Sequence, residues 1–167
     1  MKYDPQKHHR RSIRLKGYDY SQPGGYYVTL VTQNRRYLFG EVIEGKMVLN
    51  NAGKMVQRVW NELPERFPNI NLDESIVMPN HFHGVLMIIE KTDKVLGDIV
   101  GAFESITIHE YILGVRNMGW PRFNKKLWQR NYWEHIIRDE KDLNRIREYI
   151  INNPMEWKSD TENPNNP

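Results

Sequence analysis

Residues 77–86 have the sequence VMPNHFHGVL, which places His81 and His83 two positions apart at the start of an apolar run. In a β-strand, residues i and i+2 point to the same face, so both imidazoles are predicted to face one point. The run continues over Val85–Ile89 with apolar residues on both faces, which is typical of a central strand covered on both sides. The spacing suits metal ligands, but two buried histidines bonded to backbone or carboxylate groups would also explain it.

Length and composition predict one folded domain. The chain has 167 residues, of which 39% are hydrophobic and 27% are charged, as in ordinary globular domains. We expect the domain to occupy residues 1–157, with a basic arm over residues 1–20. Residues 158–167 are rich in Asp, Asn, Pro and Thr and offer little to bury, so we expect a flexible tail there.

The chain contains no cysteine, which excludes disulfides, thiolate metal sites and a cysteine nucleophile. Any metal must therefore be bound through nitrogen and oxygen atoms. The lack of cysteine also fits a reducing cytoplasm. The longest apolar run, Val85–Ile89, is too short to cross a bilayer, so we expect a cytoplasmic protein with no membrane partner.

Basic residues are concentrated in two parts of the chain, although the formal net charge is only +3. One cluster lies in the basic arm, and the other is interleaved with aromatic residues between positions 116 and 133. Cations bind phosphates and aromatic rings stack on bases, so this mixture is typical of proteins that bind single-stranded nucleic acid. A solvated basic face beside core aromatics is the alternative. The candidate contacts are Arg10, Arg11, Arg14, Lys16, Tyr27, Arg122, Lys125, Lys126, Trp128 and Arg130.

The apolar periodicity predicts an α+β fold, a mainly antiparallel sheet with helices packed mainly on one face. Three helices are predicted. The first begins at Asn51 and ends by Pro64, the second covers Leu96–Tyr111, and the third covers Lys141–Asn152 with Asp139 as its N-cap. Strands are predicted at Tyr26–Thr32 and Tyr132–Arg138, and two more are predicted within Leu72–Ile89. A further pair of strands is predicted to form a hairpin that turns at Glu44–Lys46. Residues 114–124 are predicted to form a loop.

The last predicted helix carries a candidate nucleophile, Tyr149. Tyr149 and Asn153 are four residues apart and differ by roughly 40° around the helix, so they share one face. They lie beside the apolar stripe and are therefore expected to point towards the sheet. A nearby cation favours a phenolate, which can attack a phosphodiester. Tyr149 is otherwise an ordinary boundary tyrosine that packs its ring.

Two motifs together resemble the single-tyrosine HUH transposases, and most of all the REP-associated tyrosine transposases (IS200-like transposases) of bacteria. The first is His81-Phe82-His83 within MPNHFHGVLMI, and the second is Tyr-x-x-x-Asn-Pro from Tyr149 to Pro154. The similarity also covers GYYVTLVTQNRRYLFG near the start of the chain. At Gly24–Tyr27 the chain has Gly-Gly-Tyr-Tyr, where many REP-associated members have Gly-x-Trp-Tyr, a difference that concerns the subgroup and its target.

The resemblance implies a ferredoxin-like (RRM-like) core and a divalent metal, Mg²⁺ or Mn²⁺, held by His81 and His83 and completed by Asn153. It implies that Tyr149 cleaves single-stranded DNA beside hairpins of the REP type and leaves a 5′-phosphotyrosine and a free 3′-hydroxyl. The partner is then hairpin DNA, the location is the nucleoid, and the active site belongs to a monomer or a homodimer.

Two other functions remain open at this point. A domesticated hairpin DNA- or RNA-binding module would use the same sheet and aromatic residues without cutting. A hydrolytic metal enzyme would use His81 and His83 to activate water, but no carboxylate lies close to them in the sequence. Glu134 or Glu148 would have to reach the histidines through folding.

Overall fold

A computed structural model of the protein describes residues 14–166. Arg10 and Arg11, two of the predicted nucleic-acid contacts, lie outside the described residues. Four strands form the central sheet in the order β4-β5-β1-β6, and every neighbouring pair is antiparallel. Their bounds are Gly24–Val31 for β1, Ile70–Met78 for β4, His81–Ile88 for β5 and Trp133–Ile137 for β6.

A separate antiparallel hairpin consists of β2, Gly40–Ile43, and β3, Lys46–Leu49. Its turn residues Glu44 and Gly45 both have positive φ, at 49° and 74°. Such backbone twist matches that of the flanking strands, and it confirms the hairpin predicted around this turn.

Four α-helices accompany the strands in the described part of the chain: α1 at Asn51–Asn61, α2 at Leu63–Arg66, α3 at Leu96–Met118 and α4 at Glu140–Asn152. The Asp139 side chain accepts a hydrogen bond from the Asp142 backbone N–H at 2.8 Å, so the predicted N-cap of α4 is confirmed.

Helix α3 is longer than the sequence pattern predicted. It continues to Met118 and ends at Gly119, whose φ is 69°, so the loop predicted from residue 114 begins too early. The reason is packing at Gly114. A Cβ there would lie 2.1 Å from Cε3 of Trp120, so this glycine is required by the indole that covers it and does not end the helix.

The two faces of β5 pack against different helices. Phe82 and Leu86 belong to the main core, together with the buried faces of α1 and α3. Val85, on the opposite face, packs against Leu143, Ile146 and Ile150 of α4. The predicted α+β class and antiparallel sheet are confirmed, with α1 and α3 on one face and α4 on the other. Helix α4 therefore covers the same face that carries His81 and His83.

The segment after α4 is ordered against the rest of the fold, unlike the predicted flexible tail. Asp160 and Asn163 are both buried. Asn80 donates to the backbone oxygen of Glu162 at 2.7 Å, and the Tyr37 hydroxyl donates to Asn163 Oδ1 at 2.8 Å. The prediction failed because it considered only the number of apolar residues. This segment is instead held by hydrogen bonds between its polar groups and the rest of the fold.

Candidate metal centre and tyrosine site

His81 and His83 lie at the start of β5, on the face covered by α4, with their ring centroids 4.6 Å apart. Both rings are buried, at 0% and 4% exposure. Burial lowers the pKa of both imidazoles, since the charged form loses its hydration, and for His83 the neighbouring His81 adds to the effect. Both rings are therefore neutral near pH 7, the form that binds metals.

The orientation of the His81 ring is set by Asn80. The Asn80 amide nitrogen donates to two backbone oxygens, those of Arg35 at 3.2 Å and Glu162 at 2.7 Å. Its Oδ1 must therefore be the atom 2.8 Å from His81 Nδ1, and the imidazole donates its proton there. Nε2 of His81 is left with a bare lone pair that points into the site.

His83 is held by two hydroxyl groups of β1. Its Nδ1 lies 2.9 Å from the Tyr27 hydroxyl and 2.8 Å from Thr29 Oγ1. Its buried Nε2 has no hydrogen-bond partner among residues 14–166. Leaving such an atom unpaired costs about 1–3 kcal/mol, and a cation bound there would remove that cost. This orphaned atom is the strongest local sign that the histidines fit a metal.

Asp160, in the segment after α4, completes a group of three potential ligands. Its Oδ2 lies 3.7 Å from Nε2 of His81, and its side chain is 1% exposed. The donor atoms of His81, His83 and Asp160 all lie within 4.8 Å of one another. No lysine or arginine in the described chain forms an ion pair with this carboxylate. The carboxylate accepts hydrogen bonds from the Asn153 side chain at 3.0 Å and from the Glu162 backbone N–H at 2.8 Å, and a divalent cation would add the positive charge that these neutral donors do not supply.

Asn153, the predicted third ligand, lies between His81 and Asp160. Its Oδ1 is 3.3 Å from His81 Nε2, and its Nδ2 donates to Asp160 Oδ2 at 3.0 Å. Since Nε2 of His81 carries a lone pair, two acceptor atoms face each other at 3.3 Å, as expected around a cation. The structure thus brings Asn153 to the histidines as predicted and adds a carboxylate that its amide holds in place.

Tyr149 lies on α4 next to His83, with the two ring centroids 5.6 Å apart. The residue is 42% exposed, so Tyr149 lies at the surface of the site and is not enclosed like the two histidines. Burial of the remainder raises the pKa of Tyr149, and the nearby Asp160 carboxylate raises it further. Tyr149 is therefore a neutral phenol at rest. It borders an open cavity of about 460 Å³ that His83 and Tyr27 also line.

The structure places the predicted nucleic-acid contacts in different environments. Lys16, Arg122, Lys125, Lys126 and Arg130 are exposed. The guanidinium of Arg14 lies 4.7 Å from the ring centroid of Tyr132, and its side chain is 45% exposed. Tyr27 lies in the site itself, bonded to His83.

Trp128 was wrongly predicted as a contact. The residue is 3% exposed, packs on Phe39 with ring centroids 5.2 Å apart, and donates its indole N–H to Thr107 Oγ1 at 2.9 Å. Its ring cannot stack on a base. Sequence reasoning failed here because aromatic residues in a basic stretch serve the core and the surface equally well.

The sequence prediction missed two neighbours of His81. Asp160 was assigned to the tail, and Trp157 is partly exposed and stacks on the His81 ring with centroids 5.9 Å apart. No local motif marks either residue. The one available signal was that Asp160 follows the Tyr-x-x-x-Asn-Pro motif closely enough to fold back over it.

In the described part of the chain, no helix has the length and apolar character needed to cross a membrane.

Comparison with known proteins identifies relatives by sequence. A Haemophilus influenzae protein described as "Uncharacterized protein" is 40% identical over an alignment of 182 residues, covering 95% of this chain and 96% of the relative. Another H. influenzae protein, "Putative REP-associated tyrosine transposase", is 25% identical over 145 residues, covering 82% of this chain and 73% of the relative. No protein-family model matches the chain.

Solved structures share the fold. A REP-associated tyrosine transposase bound to a REP hairpin matches with a TM-score of 0.64 at 20% identity, over 88% of this chain and 74% of that one. A "putative transposase" from Deinococcus radiodurans matches with a TM-score of 0.54 at 17% identity, over 84% of this chain and 97% of that one. These structures show that the fold is shared, and the sequence relative described as a REP-associated tyrosine transposase, together with the two motifs, supports placing the chain among the single-tyrosine HUH transposases, where it is most like the REP-associated tyrosine transposases.

Proposed function

We propose that the protein cleaves and rejoins single-stranded DNA beside hairpins, with Tyr149 as the nucleophile and a divalent metal held by His81, His83 and Asp160. One observation carries the proposal. A half-exposed tyrosine lies next to a buried group of two neutral imidazoles and one carboxylate whose donor atoms are within 4.8 Å of one another. The hairpin ligand is inferred from the structural neighbour, which is described as bound to a REP hairpin.

The donor set fits Mg²⁺ or Mn²⁺. Two imidazoles, one carboxylate and the Asn153 amide oxygen are ligands that Mn²⁺ accepts readily, while Mg²⁺ prefers the two oxygens and water. When bound, the cation would supply positive charge that favours the phenolate and neutralises the scissile phosphate. Asn80, Tyr27 and Thr29 would orient the two histidines, as hydrogen-bond partners behind metal ligands generally do.

The proposed transfer step begins at the hydroxyl group of Tyr149. Its hydroxyl oxygen attacks the phosphorus, a tyrosine–phosphate bond forms, and the bond from phosphorus to the 3′-oxygen breaks. The phenol proton leaves through the open cavity to water, and the departing 3′-oxygen takes a proton from water. One phosphodiester is exchanged for another, so a free 3′-hydroxyl can reverse the step and rejoin the DNA without an energy source.

One observation favours the hydrolytic alternative: Asp160 places a carboxylate beside the histidines, although none lies near them in the sequence. In a hydrolase the same ligand group would activate water and Tyr149 would be dispensable. The non-cutting binding module would require neither Tyr149 nor the metal. The three functions therefore differ in how they respond to loss of the Tyr149 hydroxyl.

The test is to incubate the protein with a labelled hairpin oligonucleotide from repeats beside its gene, with Mn²⁺ or EDTA, and to separate the products on a denaturing gel. We expect a protease-sensitive adduct that requires metal and disappears in Tyr149→Phe. Tyr18→Phe is the matched control, because the Tyr18 hydroxyl only approaches that of Tyr26, on the other face of the sheet, at 3.4 Å. Cleavage that persists in Tyr149→Phe would establish the hydrolase. Hairpin binding without cleavage at any metal concentration would establish the binding module.

A further inference from the structure

A cross-strand row on the face covered by α4 runs from His83 to the edge strand β6. Thr29 of β1 pairs with His83 on one side and with Trp133 on the other. Directly paired residues of antiparallel strands point to the same face, so Trp133 shares the face of the histidines. Strands lie about 4.8 Å apart, so the backbones of Trp133 and His83 are roughly 10 Å apart. Both residues line the cavity beside Tyr149.

Trp133 is unusually open for an indole. It is 57% exposed and belongs to neither hydrophobic cluster of the described residues. An exposed indole does not gain the stabilisation that burial of such a large apolar side chain usually provides. Its position at the rim of a cavity that a nucleophile also lines gives it a flat apolar face on which a planar ligand can stack.

Two basic side chains line the cavity close to this indole, and one carboxylate holds both. Asp142 accepts from Arg145 at 2.7 Å through Oδ1 and from His135 Nε2 at 2.7 Å through Oδ2. The bond from Arg145 holds the pKa of Asp142 well below its usual range, and that from His135 adds to the effect, so the carboxylate stays charged. Arg145 is one turn before Tyr149 on α4, and its side chain is 70% exposed.

The carboxylate that lines the cavity is not free to repel an anion. Glu162 lines the cavity but is paired with Arg35 at 3.0 Å. The guanidinium of Arg145 has five N–H donors, and its bond to Asp142 uses one of them. The volume of about 460 Å³ lies within the range of sites that enclose small ligands.

From these contacts we propose that the cavity is a subsite for one unstacked nucleotide next to the scissile phosphate. Trp133 stacks on its base, and Arg145 contacts its phosphate. Aromatic stacking combined with cationic backbone contacts is how proteins hold single strands without reading sequence. The inference rests on the proposed function and deepens it, since it names residues that hold the flanking single strand.

The test measures binding without cleavage, in the Tyr149→Phe background. The probes are a labelled blunt hairpin, the same hairpin with a short single-stranded extension, and versions in which each extension nucleotide in turn lacks its base. We expect one abasic position to weaken binding by about 5- to 150-fold when Trp133 is present. In Trp133→Ala the same abasic change should have no further effect, and Trp133→Phe should restore the sensitivity.

Arg145 is tested through salt dependence. Arg145→Ala should weaken binding of the extended hairpin uniformly over sequence and reduce the salt slope by about 0.7, the value for one phosphate contact on a single strand. Arg66→Ala is the matched control, because Arg66 is an exposed arginine of α2 on the other side of the sheet. Binding of the blunt hairpin should be the same in all variants.

The possible failures are distinguishable. If wild type and Tyr149→Phe bind no hairpin at all, the proposed function is wrong and this inference is wrong with it. If extended hairpins bind but every abasic position weakens wild type and Trp133→Ala equally, the nucleotide subsite alone is overturned. Trp133 is largely exposed, and the Trp133→Phe variant keeps the test valid if the alanine variant folds poorly.

Discussion

Replacing Asp160 by Asn should make the protein less dependent on metal. In the metal-free protein, Asp160 is a buried carboxylate without a cationic partner in the described chain. The substitution removes that charge but preserves the shape. Rotation of the Asn153 amide would let it accept from the new amide and donate to His81 Nε2. We therefore expect the melting temperature without metal to be unchanged or higher than in wild type, although a buried residue has been altered.

The magnitude follows from linkage. A metal at about 100 times its Kd stabilises a protein by about 2.7 kcal/mol. For a domain of this size that corresponds to an increase of about 5–11 °C in melting temperature. Loss of one carboxylate ligand should weaken metal binding by at least about 10-fold, as loss of a partner behind a ligand does. At the same metal concentration the stabilisation then falls to about 1.4 kcal/mol or less, an increase of about 3–6 °C at most.

The assay is thermal unfolding with EDTA and with Mn²⁺, together with calorimetric titration of Mn²⁺. Asp93→Asn is the matched control, because it removes the same charge from a side chain that is 87% exposed, in the segment between β5 and α3. Wild-type affinity for Mn²⁺ in Asp160→Asn would refute the assignment of Asp160 as a ligand. A large loss of stability without metal would show that the carboxylate serves the fold instead.

Three further predictions follow from individual contacts. Trp128→Ala should lower the free energy of unfolding by about 3–5 kcal/mol and the melting temperature by about 6–20 °C, because Trp128 is a core residue. Unchanged stability with weakened hairpin binding would instead support a nucleic-acid contact. Asn80→Ala should weaken Mn²⁺ binding by about 10- to 100-fold in calorimetry, because it removes the acceptor that orients His81. Unchanged affinity would contradict the role of Asn80 in orienting the His81 ring. Burial raises the pKa of Glu104 to about 7 from 4.5, so the unfavourable free energy of burying this carboxylate develops as pH rises from 4.5 to 7 and is complete above pH 7. Glu104→Gln should then stabilise the fold by about 1 kcal/mol above pH 7 and by nothing below pH 4.5, and a constant difference in urea denaturation across pH would exclude this cause.

The sequence predicted best those elements whose signal is local. His-x-His in an apolar run predicted β5, a strand covered on both sides, because alternation assigns each residue to a face. The N-cap Asp139 and the stripe that includes Ile146 predicted α4 nearly to its ends for the same reason. Gly114 misled the prediction of α3 because a helical glycine required by a packed indole cannot be told from a terminating one within a single sequence.

Asp160 was unpredictable because its role depends on how the chain turns after α4. That turn is fixed by contacts distant in sequence, from Asn80 to the Glu162 backbone and from Tyr37 to Asn163. Asn80 also orients His81, so one amide both holds the segment that carries Asp160 and sets the lone pair that Asp160 faces. A change at Asn80 therefore acts on two of the three proposed ligands at once. For the same reason, metal binding and docking of this segment should be coupled, each favouring the other by an equal free energy.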